Sequence, residues 1–239
     1  MSGATMPSND NGPPAGVLRA LFAGLTRVRG GTTQRDFAPA GTAPAVSLAR
    51  ALKVPTVALP HQVHGTAVAR WPQDAAGSAA DAVWSDQKGV VCAVRTADCL
   101  PLLLVDAGQS CVAAVHAGWR GLAAGVIEAT LAALPVEAAQ LRVWLGPAIG
   151  PQHFEVGPEV RAAFVRADST CGDAFRAGAG DRYFADLYDL AHRRLTRAGV
   201  PAAAIGGGGL CTFADPQRWY SYRRTPGEPG RMLSFVQLT

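Results

Sequence analysis

Lysine is almost missing from this chain. Of its 22 basic residues only Lys53 and Lys88 are lysines, and the remainder are arginines. Alongside abundant alanine, this reads as a compositional habit of the genome rather than as the footprint of a nucleic-acid binder, which gathers its charge in one place. The net charge of +4 is instead scattered, and its densest runs are Arg193, Arg194, Arg197 and then Arg223, Arg224. The first run reads as the wet face of a helix, so no nucleic-acid partner is expected. Also missing is a run of about eighteen apolar residues, the length a membrane helix requires, so no membrane association is expected. The opening stretch MSGATMPSNDNGPPAG has neither the basic n-region nor the apolar h-region of a secretory signal. Residues 1–15 are expected to be a disordered tail, and the protein is expected in the cytoplasm. Cysteine is scarce: five, irregularly spaced and odd in number, make a poor disulfide framework. Free thiols in a reducing compartment fit better.

What is present is the material of a sizeable core. The chain has 239 residues, 49% of them apolar and 17% charged, enough for one large domain. No linker or internal repeat interrupts residues 16–239, which are expected to form one catalytic domain. The fold is expected to begin within Val17 to Leu25, followed by the loop-like TRVRGGTTQRDFAPAGTAP. A short helix is expected around Val46 to Leu52 and a strand near Thr56 to Leu59. DAVWSD, Val90 to Val94, Leu100 to Val105, SCVAAVHAG and LRVWLG read as further strands. Between the last two, WRGLAAGVIEATLAAL carries apolar residues at three- and four-residue intervals, which predicts a helix from Trp119 to Leu134. Two more helices are expected at Pro158 to Arg166 and Ala185 to Ala198. Four glycines, Gly206 to Gly209, stop a strand, and RWYSYRR and MLSFVQL are read as the last pair. The fold class is α/β, a mixed sheet with several antiparallel pairs. The glycine run lacks the Lys-Ser/Thr pair of a phosphate loop.

Five histidines are few, and two of them stand together in LPHQVHG, at a strand–turn–strand bend. His64 there, Cys99 in TADCLP and His116 in AVHAGWRG each sit where an apolar strand gives way to a turn, the place where sites assemble in α/β proteins. Two imidazoles and a thiolate suit a borderline-soft ion such as zinc, and three protein ligands leave a fourth position open. The plainer reading is three separately packed residues, since a free cysteine is commonly buried and inert. Cys99 could equally be a nucleophile with His116 as its base. The helix after His116 would put GWRG in its first turn, where Arg120 and unpaired backbone N–H groups could meet a phosphate or a developing oxyanion. Asp98 could hold a histidine ring N–H, move protons, or cap a turn.

Weaker candidates carry plainer readings beside them. Arg29 and Arg95 could reach an anion, but read first as surface or ion-paired arginines. His61 reads as a rim residue that could line the pocket beside His64. His153 and Glu155 lie in a Gly/Pro-rich loop that could cover the site. Trp119 and Phe154 could stack on a planar base or simply pack. Arg223 and Arg224 could meet a phosphate. His192 reads as solvent-facing, and Cys92 and Cys111 as core.

HQVHG, DAVWSD, TADCLPLLLVD, HAGWRG, GPAIGPQHFEVG, DLYDLAHRRL and CTFADPQRWYSYRR…GR occur in the order expected of the YfiH-like family. That family is also labelled multicopper polyphenol oxidase (laccase) and purine nucleoside phosphorylase LACC-type. The resemblance runs from about Thr26 to the C-terminus. It implies α/β/β/α layering, distantly similar to the catalytic domain of cytotoxic necrotizing factor toxins. It also implies a metal triad of His64, Cys99 and His116, and substrate-pocket arginines at Arg120 and at either Arg27 or Arg29. Taking the residue readings and the resemblance together, the expected site has Cys99, His116, Asp98 and Arg120 in catalysis, and Arg29, His61, Trp119, His153 and Arg120 around substrate. Two departures stand out: APAVSLARALKVP replaces a longer segment containing SLNLG, and Ala148 replaces the cysteine of GPCIG, which weakens any second metal site.

The resemblance implies zinc-dependent phosphorolysis of adenosine, inosine, guanosine and methylthioadenosine to base and pentose-1-phosphate, with adenosine deamination. Purine nucleoside and phosphate are then the partners, and a monomer is expected. The alternatives are laccase-like phenol oxidation, and a cysteine or zinc amidohydrolase that edits peptidoglycan precursors. Copper follows from the family label, but multicopper centres draw heavily on imidazole, and five histidines are too few for one.

Overall fold

The computed structural model describes residues 14–20, 22, 24–38, 42–74 and 77–239. Most of the expected N-terminal tail, residues 1–13, lies outside them. In chain order the elements are β1 (Val17–Arg19), β2 (Val28–Thr33), α1 (Pro44–Leu52), β3 (Val57–Ala58), β4 (Val68–Arg70), β5 (Ala82–Ser85), β6 (Val91–Thr96), β7 (Leu100–Asp106) and β8 (Val112–Ala117). There follow α2 (Trp119–Ala124), α3 (Val126–Ala133), β9 (Leu141–Leu145), β10 (Glu155–Val156), α4 (Pro158–Val165), β11 (Phe175–Ala177), β12 (Tyr183–Ala185), α5 (Leu187–Arg197), β13 (Ile205–Gly207) and β14 (Met232–Leu238).

A six-stranded sheet runs in the order β13-β9-β7-β8-β5-β4, and a five-stranded sheet in the order β1-β2-β14-β6-β3. Both mix parallel and antiparallel pairs. The unbroken apolar run LPLLLV of β7 has its cause in burial on both faces. Because strand side chains alternate, Leu102 and Leu104 join Leu122, Ile127, Leu190 and Leu195 under the helices. Leu103 and Val105 point the other way, against Cys92, Val94 and Val236 of the five-stranded sheet. The outer face of that second sheet, through Val91, Ala93, Leu233 and Phe235, is covered by Leu48 and Leu52 of α1. The layering is therefore α/β/β/α, as expected.

Three expectations are corrected. The loop-like TRVRGGTT is β2, paired with both β1 and β14. Its glycines serve close strand approach, since a Cβ at Gly31 would collide with the Leu18 carbonyl. The helix expected from Trp119 to Leu134 is broken into α2 and α3 at Gly125, whose φ of 104° places it in the left-handed region, where glycine is favoured. RWYSYRR is not a strand but a succession of turns. Its Trp219 is fully buried, and Arg224 satisfies the carbonyls of Thr212, Phe213 and Trp219 in place of a ladder.

The consequence for the site lies between β6 and β7. Only Ala97, Asp98 and Cys99 connect the two strands, and in those residues the chain steps from one sheet to the other. Asp98 takes a φ of 90° to make that step.

Candidate metal centre

β7 and β8 pair antiparallel, with Leu100 opposite Ala117 and Pro101 opposite His116. This register carries Cys99, just ahead of β7, to the level of Gly118, just after β8. His116 is buried within β8, and Cys99 is half-buried. His64 arrives from the turn ahead of β4, exposed and with a left-handed φ of 61°. One ligand atom from each of His64, Cys99 and His116 can be chosen so that all lie within 4.8 Å of one another. The two imidazoles meet edge to face, their centroids 4.8 Å apart.

Glycine makes the convergence possible. A Cβ on Gly118 would sit 3.0 Å from His64 Cδ2 and 3.1 Å from Cys99 Sγ, so the absence of a side chain leaves the three ligands their room. At Gly121 a Cβ would come within 2.7 Å of the Gly65 carbonyl oxygen, and α2 thus lies directly against the turn that bears His64.

The electrostatics follow from this packing. Burial pushes the Cys99 thiol up, but hydrogen bonds from His116 and His64 outweigh it and bring the thiol down to about 6. Burial pushes His116 down, and its bonds to Asp81 and to Cys99 more than reverse that, raising it to about 9. The ion-free pair is thus a thiolate beside an imidazolium between those two values. A metal ion must displace the His116 proton throughout that range, and below about 6 the Cys99 proton as well. Apparent metal affinity is therefore expected to rise about tenfold per pH unit between about 6 and about 9, and to fall more steeply in more acid solution. Competition titration against a chromophoric chelator measures this; an affinity indifferent to pH would contradict it.

Sequence reasoning gave Asp98 three possible jobs and did not single out Asp81 at all. In the structure it is Asp81, fully buried, whose Oδ1 lies 2.8 Å from His116 Nδ1. Burial pushes the Asp81 carboxyl up, but bonds from His116, Gly65 and Val63 hold it below its ordinary value. Asp98 instead accepts the Thr212 hydroxyl at 2.6 Å and the Arg223 N–H at 2.7 Å. It ties the TADC turn to the C-terminal segment. The missed signal was the leading Asp of DAVWSD, a carboxylate opening an otherwise apolar strand.

The three residues open on a cavity of about 660 Å³ whose wall includes Arg95, Arg120, Arg223 and Arg231 with Trp119 and Phe154. Asp98 also lines it. Arg120 is stacked over the Trp119 ring at 4.6 Å, and Arg223 over Phe154 at 5.5 Å. Three expected substrate residues do not line this cavity. Arg29 lies in β2 opposite Gln237. His61 bridges to Ala79. His153 stacks on Phe213 with its Nδ1 3.4 Å from Cys211 Sγ. The helix that follows His116 is α2 of six residues, so its dipole is small; Arg120 in its first turn lines the cavity.

A half-buried cysteine between two imidazoles, opening on a basic cavity, gives this α/β fold a candidate metal site. Comparison with known proteins supplies the family. Residues 27–239 match the family model described as multi-copper polyphenol oxidoreductase laccase, and the chain is a member of this YfiH-like enzyme family. It is 52% identical over 178 residues to a purine nucleoside phosphorylase of Pseudomonas aeruginosa, covering 74% of this chain and 72% of that one. It is 34% identical over 168 residues to the adenosine deaminase RL5 of an unknown prokaryotic organism, covering 69% and 64%. The crystal structure of the Neisseria meningitidis protein NMB0706 superposes with a TM-score of 0.85 at 35% identity, over 93% of this chain and 99% of that one. Among the described residues no helix is long and apolar enough to cross a membrane.

Proposed function

We propose that this chain is a zinc-dependent purine nucleoside phosphorylase, with residues 16–239 acting as one catalytic domain. The observation that carries the reading is the convergence of His64, Cys99 and His116 on a cavity walled by arginines and aromatic rings. A tetrahedral zinc with sulfur at about 2.3 Å and nitrogen at about 2.0 Å has ligand atoms roughly 3.5 Å apart. The ligand atoms all lie within 4.8 Å of one another, so small side-chain shifts bring them to that spacing, and the thiol is already prone to ionise; the residues fit the ion. When bound, zinc supplies Lewis acidity toward an electronegative atom of the substrate.

The chain's own residues do the rest. Trp119 and Phe154 offer ring faces to a purine. Arg120, with Arg95 and Arg223 nearby, holds phosphate against the anomeric carbon and stabilises the charge that develops as the glycosidic bond breaks. Attack forms the C–O bond to phosphate, and the purine departs with the bonding pair and takes up a proton. Asp98, committed to Thr212 and Arg223, keeps the cavity wall in place and is the carboxylate among the lining residues that proton movement can use.

The test is incubation of the purified protein with adenosine or inosine, with and without phosphate. Ribose-1-phosphate formed only when phosphate is present supports the reading; free ribose, or no product from either nucleoside, ends it. A second activity on the same site is supported by the similarity to an adenosine deaminase: inosine formed from adenosine without phosphate is its signature. Turnover of an amide with a covalent adduct on Cys99 would instead favour a cysteine hydrolase, for which the lowered thiol is the supporting feature.

A further inference from the structure

We infer that Asp81 is the positioning residue of this site: one buried carboxylate sets the mutual geometry of His64 and His116. Its two oxygens take four bonds. Oδ1 accepts from His116 Nδ1 at 2.8 Å and from the His64 backbone N–H at 2.9 Å. Oδ2 accepts from the backbone N–H groups of Gly65 at 2.7 Å and Val63 at 3.2 Å. Because an ionised carboxylate only accepts, Nδ1 of His116 keeps its proton, and Nε2 is the ring nitrogen left to ligate once any proton on it is displaced. The same carboxylate collects three successive N–H groups of the turn, the arrangement that holds His64 at its left-handed φ of 61°. A non-glycine residue keeps such a conformation where surrounding bonds over-determine it.

The main chain of Asp81 reinforces this. Its carbonyl accepts from His116 N–H at 2.7 Å, and its own N–H donates to Ala67 at 2.9 Å. Asp81 is completely shielded from solvent, and a fully buried carboxylate persists only where its bonds are satisfied. Here they are satisfied by the two segments that carry the histidines, which are far apart in sequence. One side chain therefore couples the strand ligand to the turn ligand.

The inference rests on the metal reading above, and its test separates the two. Asp81→Asn keeps the shape but turns one oxygen into a donor facing N–H groups, so its zinc affinity is expected to fall by about 10- to 100-fold. In the same variant the cobalt(II)-substituted protein is expected to show a shifted ligand-field spectrum. Unchanged affinity and spectrum would overturn the inference. If the wild-type protein takes up neither zinc nor cobalt, the metal reading fails while Asp81 is still judged: amide exchange at Val63, His64 and Gly65 should be faster in Asp81→Asn, and equal rates overturn its role. If Asp81→Asn does not fold, wild-type protein labelled with nitrogen-15 decides the matter. A His116 Nδ1 proton in a hydrogen bond is expected, and an unprotonated Nδ1 counts against the inference.

Discussion

Replacing Cys99 with alanine is expected to remove bound zinc and to lower phosphorolysis on the order of 10²- to 10³-fold, the equivalent of the several kcal/mol that a Lewis acid supplies. The thiolate is the only sulfur donor of the triad, and two imidazoles alone leave the ion half-held. The loss of metal and the loss of turnover should coincide in one titration. Stability of the metal-free chain should change far less, because the side chain is half-buried in a polar setting rather than packed in the core. A Cys99→Ala protein that is free of metal yet turns over at the wild-type rate would remove zinc from the mechanism. Atomic absorption on the purified variant, paired with a ribose-1-phosphate assay, decides it.

Arg120→Ala is expected to lower kcat/KM for phosphate by about 100-fold, in the range found when a donor to developing charge is removed. Arg120 lines the cavity, sits over the Trp119 ring at 4.6 Å and is exposed, so folding stability should move by less than about 0.5 kcal/mol. Arg120→Lys keeps the charge but loses both the planar fork and the stacking. It should recover only part of the activity. Equal phosphate dependence in all three proteins would transfer the anion site to Arg95 or Arg223.

Much of the arrangement was legible in the chain because local physics writes it there. Alternation and apolar runs marked β5 to β9, and the change of period at Trp119 marked the first helix. His64, Cys99 and His116 were readable because each polar group stands where an apolar run stops, and the family resemblance named the same three. What misled was glycine. Gly30 and Gly31 read as loop, yet they serve a strand that another strand approaches closely; Gly125 sat unnoticed inside a helical period and split it. Asp81 went unremarked for a related reason: an aspartate at the head of a strand looks like a turn residue until its burial and its four bonds are known. Arg29, His61 and His153 were plausible by residue type, but they do not line the cavity: Arg29 pairs opposite Gln237, His61 bridges to Ala79 and His153 stacks on Phe213.

The amino-acid sequence alone therefore determined the fold class, the donor types of the site and the shortage of imidazole that argues against a multicopper centre, because composition and periodicity are local properties. Only the tertiary structure decided that the chain steps between two sheets at Ala97 to Cys99, that Asp81 rather than Asp98 holds His116, and that four arginines from three separate segments share one cavity. Those are contacts between residues remote in the chain, and their energy depends on register and burial, which exist only once the layers have packed.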